Sequence, residues 1–328
     1  MRIIEVIGDC GHVDTIRGIA EQHEIMDCWV AKSEEDERCS MRLLVRPEKQ
    51  QAVIDAVQLA LTAVPGWRII IYPIEGVLPR PEETFNDKKY SGSRSREELY
   101  LEVEAGSRLD SNYILLVIFS TIVVAIGLIE DNVAVVIGAM VIAPLLGPNI
   151  AFAFGAALGD KVLIIQSLKT NFIGIFLALV LSYTMGIFWA EGVTSQELLA
   201  RTDVSIPGMV LALVAGAAGV LSLTTGISST LVGVMVAVAL LPPTATVGLM
   251  LAHGNYKLAL GAALLLAVNL VSVNLAAKLV LLLKGVKPRT WLDKQKARQS
   301  MLIYIVVWVI SLAVLAGSMQ LYHSYIQP

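Results

Sequence analysis

The chain has 328 residues, 55% of them apolar, with a mean hydropathy of +0.68 and a formal charge of −3. That apolar content exceeds what a soluble domain carries, and the charge balance offers no basic footprint for nucleic acid. Acids and bases concentrate ahead of residue 110 and apolar runs dominate after it, so a soluble module followed by a membrane module is expected.

Residues 2–7 and 26–32 read as strands around a polar helix from Val13 to His23. A third strand, Met41 to Val45, precedes a helix from Glu48 to Ala63 in which Ala52, Val53, Ala56, Leu59 and Ala60 recur at helical spacing. A turn at Pro65 and Gly66 then leads into a fourth strand from Trp67. The β-α-β-β-α-β order predicts an α+β ferredoxin-like domain over residues 1–78, a fold that hosts many small-ligand sensors and proves none. Gly8, Asp9, Gly11 and His12 lie between the first strand and first helix, where backbone N–H groups can meet a nucleotide or other metabolite. A tight turn that caps the helix is the plainer reading of so short a two-glycine loop. The three cysteines, Cys10, Cys28 and Cys39, all fall in this module. Their odd number suits reduced thiols, and with His12 they fit no zinc spacing, so neither a metal nor a cofactor is expected. The N-terminus lacks the basic start and apolar core of a signal peptide, which predicts a cytoplasmic module.

Residues 79–110 form a Pro-, Gly- and Ser-containing linker ending in an amphipathic helix from Arg96 to Leu109. The remaining 111–328 hold about seven apolar spans, near 112–129, 132–157, 170–190, 206–223, 228–252, 258–283 and 302–322. Lys284, Lys287, Arg289, Lys294, Lys296 and Arg298 crowd the loop before the last span, whereas Glu191, Glu197 and Asp203 mark the loop after the third. Positive-inside logic places the basic loop in the cytoplasm, together with Lys161, Lys169 and the soluble module, in the plasma membrane of the cell.

The most informative feature is a repeat offset by 95 residues. Gly138, Met140, Val141, Leu145, Leu146 and Pro148 align without a gap on Gly233, Met235, Val236, Leu240, Leu241 and Pro243, and Gly159 falls on Gly254. Copies of three spans each, 112–190 and 206–284, must enter the membrane from opposite sides, which predicts an inverted repeat with an extra span at 302–322. Pro144 and Pro148 in one copy, and Pro242 and Pro243 in the other, remove backbone donors and predict broken helices in both. Unpaired carbonyls cannot face lipid, so Pro144, Gly147, Pro148, Asn149, Pro242, Pro243, Thr244 and Thr246 are candidate contacts for a small solute near the bilayer midplane. Packing kinks are the alternative for the prolines. Asn171 and Asn269 are polar at membrane depth and either join neighbouring helices or line the same cavity. Lys169 and Lys278 lie where they can snorkel toward cytoplasmic ends. No metalloprotease, nucleophile-elbow or Walker signature occurs, so no enzyme is expected.

The run from Ile129 to Pro148, followed by Ala239 to Gly248 and Asn269, resembles the prokaryotic integral membrane family of domain of unknown function 389, in the branch with a preceding soluble domain. That resemblance implies a membrane protein and assigns no activity. Two functions are expected from the sequence: a transporter or channel whose soluble domain gates it or assembles a homo-oligomer, or a membrane-anchored sensor that moves no solute.

Overall fold

The computed structural model describes residues 1–32, 38–74, 77, 95–189, 195–225, 229–284, 286 and 306–320, with backbone alone for 229–238. Two compact units divide between Glu98 and Leu99, inside the helix expected to end the linker.

The first unit runs β1 (Arg2–Asp9), a 3-10 turn (Cys10–His12), α1 (Val13–Gln22), β2 (Asp27–Lys32), β3 (Arg38–Val45), α2 (Gln50–Ala60) and β4 (Arg68–Pro73). Its sheet is antiparallel throughout, with strand order β2-β3-β1-β4. Period-two alternation sends Ile4, Val6, Met41, Leu43 and Val45 to one face, where Ile16 and Ile19 of α1 and Val53, Ile54 and Val57 of α2 close the core. The opposite phase holds Glu5, buried at 4% exposure. Ser40, Arg42 and Tyr72 all donate to its carboxylate, and the Ser40 bond above all holds that carboxyl below the usual glutamate range. One expectation fails here: Cys10 and Cys39 form a disulfide and Cys28 is the free thiol. Register explains it. Gly8 pairs with Cys39, which brings the Cα atoms of Cys10 and Cys39 to 4.9 Å, a proximity that cysteine counting cannot reveal.

Helix α3 (Arg96–Gly106) carries the chain into the second unit. There follow α4 (Ser111–Ile129), α5 (Val133–Ile142), α6 (Leu146–Leu158), α7 (Lys161–Phe188), the short α8 (Gln196–Ala200), α9 (Ile206–Thr225), α10 (Ser229–Ala252), α11 (Tyr256–Leu283) and α12 (Val306–Gln320). Among the described residues, α4, α7, α9 and α11 are long and apolar enough to cross a membrane, and α5 with α6 makes a fifth span bent by 51°. Most of the basic loop that oriented the spans lies outside the described residues. Phe119, Phe172, Leu211 and Leu260 are all more than half exposed, as side chains that face hydrocarbon are. Small residues bring the helices together: a Cβ on Gly216 would lie 2.6 Å from the Val273 carbonyl, and one on Gly248 would strike Ser182.

The two copies of the repeat share one turn in register. Gly159 ends α6 at φ +73° and Gly254 follows α10 at φ +72°; the next N–H in each copy reaches back five residues, Asp160 to Gly155 at 2.9 Å and Asn255 to Met250 at 3.0 Å.

Candidate functional site

The two proline sites differ. Ala143 is extended (φ −65°, ψ 124°) ahead of Pro144, as a residue before proline prefers, and α5 stops there. Pro148 sits in the first turn of α6, where its missing N–H removes no helical bond. Gly147 permits the close approach of α3: a Cβ on it would strike the Gly106 carbonyl oxygen. Leu99 and Val103 of α3 pack with Phe154 and Leu281, and the Tyr100 hydroxyl donates to Asp160 at 2.8 Å. That bond raises the Tyr100 phenol to about 12.

Around this break the structure gathers Asn149, Asn171 and Asn274, each on a different helix and at most 7% exposed. Asn149 Nδ2 donates to the Leu145 carbonyl at 2.8 Å and to Asn171 Oδ1 at 3.3 Å. Its Oδ1 accepts from Asn171 Nδ2 at 2.8 Å and from Asn274 Nδ2 at 3.2 Å. Asn274 Oδ1 is buried without a hydrogen-bond partner among the described residues.

The second copy is not broken. Pro242 and Pro243 lie inside α10, which continues through them. The expected break is corrected for a physical reason visible in the alignment: Pro144 and Gly147 fall on Ala239 and Pro242, so the residues that stop α5 have no like counterpart. Pro243 still deprives the Ala239 carbonyl of its helical donor. Asn269 supplies one instead, with Nδ2 at 2.8 Å from Ala239 O. Thr244 Oγ1 donates to the Leu240 carbonyl at 2.7 Å, and the buried Thr246 Oγ1 has no partner among the described residues.

A cavity of about 160 Å³ opens between α9, α10 and α11, lined by Arg201, Asp203, Ser205 and Gly208 at the chain entry to α9 and by Ala239, Pro243 and Asn269 deeper in. Asn269 lies about 20 Å along α11 from Tyr256, near the middle of that helix. Its Oδ1 is buried and has no partner among the described residues. Arg201 Nη2 donates to Glu197 at 3.1 Å. Of the expected contacts, Pro243 and Asn269 line this cavity; Pro144, Gly147, Pro148, Asn149 and Asn171 belong to the break, and Thr244 and Thr246 face the packed interior.

Lys278 does not snorkel, contrary to expectation. It is 1% exposed, with Nζ 4.8 Å from the centre of the Phe152 ring and 5.0 Å from that of Trp308. Each such contact is worth about 0.5–2 kcal/mol and offsets part of the cost of keeping the ammonium from water. Position within α11 could not reveal this, because α6 and α12 supply the rings.

In the first unit, Asp9 ends β1 and its Oδ1 accepts from Gly11 N at 2.7 Å. Gly8 lies in the sheet, and the His12 side chain makes no capping bond to α1. The Gly11 donor that an anion would use is therefore already engaged within the turn.

Apolar helices, one of them broken at a proline and sealed by buried asparagines, define a polytopic protein of membrane type. The chain belongs to the family described as Domain of unknown function (DUF389), whose pattern matches residues 140–275. It is 32% identical over 270 residues to an uncharacterized protein of Methanocaldococcus jannaschii, covering 82% of this chain and 84% of the relative. No solved structure matches.

Proposed function

We propose that the protein is a transporter or channel that moves a small polar solute across the plasma membrane without chemically changing it, through the cavity that ends at Asn269. The single observation that carries this reading is that a cavity lined by Arg201, Asp203 and Ser205 at the entry to α9 is also lined by Ala239, Pro243 and Asn269, which lie at mid-helix depth on α10 and α11. An inert bundle has no use for an opening lined by charged and polar side chains, since polar groups in hydrocarbon cost several kcal/mol unless satisfied. The two three-span copies are the inverted halves that alternate access, as the matched Gly159 and Gly254 turns support. In this reading the ferredoxin-like unit gates the membrane unit or assembles a homo-oligomer. The engaged Gly11 N–H gives the nucleotide-sensing alternative no support.

Osmotic swelling of proteoliposomes in urea, glycine, glycerol and sucrose tests the reading. Entry of the small solutes above protein-free vesicles, blocked by Gly208→Leu, is the expected result; permeation no faster than in empty vesicles would sink it. The charge distribution favours a cytoplasmic soluble unit, whereas a disulfide is uncommon in a reducing compartment. Maleimide labelling of Cys28 in sealed cells decides: labelling by a membrane-impermeant reagent only after lysis supports the cytoplasmic assignment, and labelling from outside reverses it.

A further inference from the structure

The cavity lies in the second copy of the repeat, and the first copy holds its counterpart, filled. Helix boundaries carry the 95-residue offset well beyond the proline sites: α4 and α9 start at Ser111 and Ile206, and α7 and α11 run from Lys161 to Phe188 and from Tyr256 to Leu283. The helix caps match as well. Asp110 Oδ1 accepts from Tyr113 N at 2.7 Å, and Ser205 Oγ accepts from Gly208 N at 3.2 Å. Tyr113 and Gly208 therefore occupy one position of the same helix start, and Gly208 lines the cavity.

At that offset the cavity residues Gly208, Ala212, Ala215, Pro243 and Asn269 become Tyr113, Val117, Ser120, Pro148 and Gly174, all of them buried. The Tyr113 side chain spans this set. Its hydroxyl donates to the Thr170 carbonyl at 3.2 Å, and a Cβ on Gly174 would strike that hydroxyl. Thr170 in turn falls on Leu265, another residue of the cavity wall. The exchange is reciprocal: the first copy has a ring at the helix start and a glycine where the ring ends, while the second has a glycine at the helix start and Asn269 beyond it. A tyrosine ring hangs on two side-chain torsions, so it can leave its place by a rotamer change while α4 stays folded. We infer that Tyr113 is a gate: its ring plugs a second solute site in the first copy, the counterpart of the cavity in the second, opening toward the opposite side of the membrane. The opposite sidedness and the passage of solute rest on the transport reading with its inverted halves, whereas the plugged counterpart rests on the offset and the Tyr113 contacts. One half open and the other filled is the asymmetry that alternating access requires.

The test uses the full-length protein with Cys28→Ser and one reporter cysteine, Ala212→Cys for the cavity or Val117→Cys for its counterpart. The readout is the rate at which a membrane-impermeant methanethiosulfonate modifies the reporter in sealed cells and in inside-out vesicles. Ala212→Cys should react from one side only and slow at least tenfold when Gly208→Tyr is added. The Gly208 site accepts a side chain, since the nearest heavy atom to a new Cβ is the Ser205 hydroxyl at 3.3 Å. Val117→Cys should be protected while Tyr113 is in place and react at least tenfold faster, from the opposite side, in Tyr113→Ala. Tyr113→Phe keeps the bulk and removes only the bond to Thr170, so it should fold even where Tyr113→Ala does not, and should raise the rate at least twofold. Protection of Val117→Cys unchanged by both Tyr113 variants, labelling of both reporters from the same side, or Ala212→Cys indifferent to Gly208→Tyr would overturn the inference. Unmasking of Val117→Cys without solute entry into vesicles would retire transport and leave the plugged site standing; solute entry with Val117→Cys still protected in both variants would do the reverse.

Discussion

Two spans carry aligned prolines, and they behave differently. Between α5 and α6 the chain leaves the helix at Ala143 and bends by 51°, whereas α10 passes through Pro242 and Pro243 without interruption. The proline the copies share, Pro148 or Pro243, interrupts neither helix. Pro144, present in one copy only, does so because it forces the residue before it into extended backbone. Asn269 reaches across from α11 to cap the Ala239 carbonyl that Pro243 frees, whereas Asn149 bonds back within its own helix to Leu145, a carbonyl that no proline frees. A proline thus sets a demand, and the packing around it decides whether the helix breaks or is repaired.

The contrast is tested most severely at Gly147. Gly147→Ala drives a Cβ into the Gly106 backbone and should cost about 1–3 kcal/mol or more, read as a fall in melting temperature in detergent; an unchanged melt would show that α3 does not pack on the break. Asn269→Leu should cost about 1–3 kcal/mol by orphaning the Ala239 carbonyl. That cost should shrink by about 1 kcal/mol in a Pro243→Ala background, where the backbone N–H returns, and a strictly additive double-mutant cycle would refute the repair. In the swelling assay Pro243→Ala, which returns a backbone donor to the cavity wall, should reduce permeation at least tenfold, while Pro144→Ala, outside the cavity, stays within twofold; equal losses would erase the distinction between the spans. Smallest are Gly159→Ala and Gly254→Ala, at about 1–2 kcal/mol each for a left-handed residue. Nearly equal penalties would confirm that the copies match at their turns, and a large inequality would confine the likeness to sequence.

The two-part organisation, the order of elements in the soluble unit and the helical character of the remainder were legible in the chain alone, because period-two alternation and long apolar runs are local properties. The matched turns were legible too, since a glycine at a helix C-terminus adopts the left-handed conformation for reasons contained in a few residues. Pro243 and Asn269 stood out as polar demands at membrane depth. Their partnership was illegible, because they lie on different helices and only the packing of α10 on α11 makes the bond. Folding in three dimensions settled that α10 stays whole, that Lys278 is enclosed by Phe152 and Trp308 rather than reaching the surface, and that Cys10 meets Cys39. For Lys278 and the cysteines the deciding group comes from another element of the fold, as it does for the Ala239 carbonyl. In hydrocarbon, where water cannot satisfy a polar group, the neighbour that arrives determines what that group becomes.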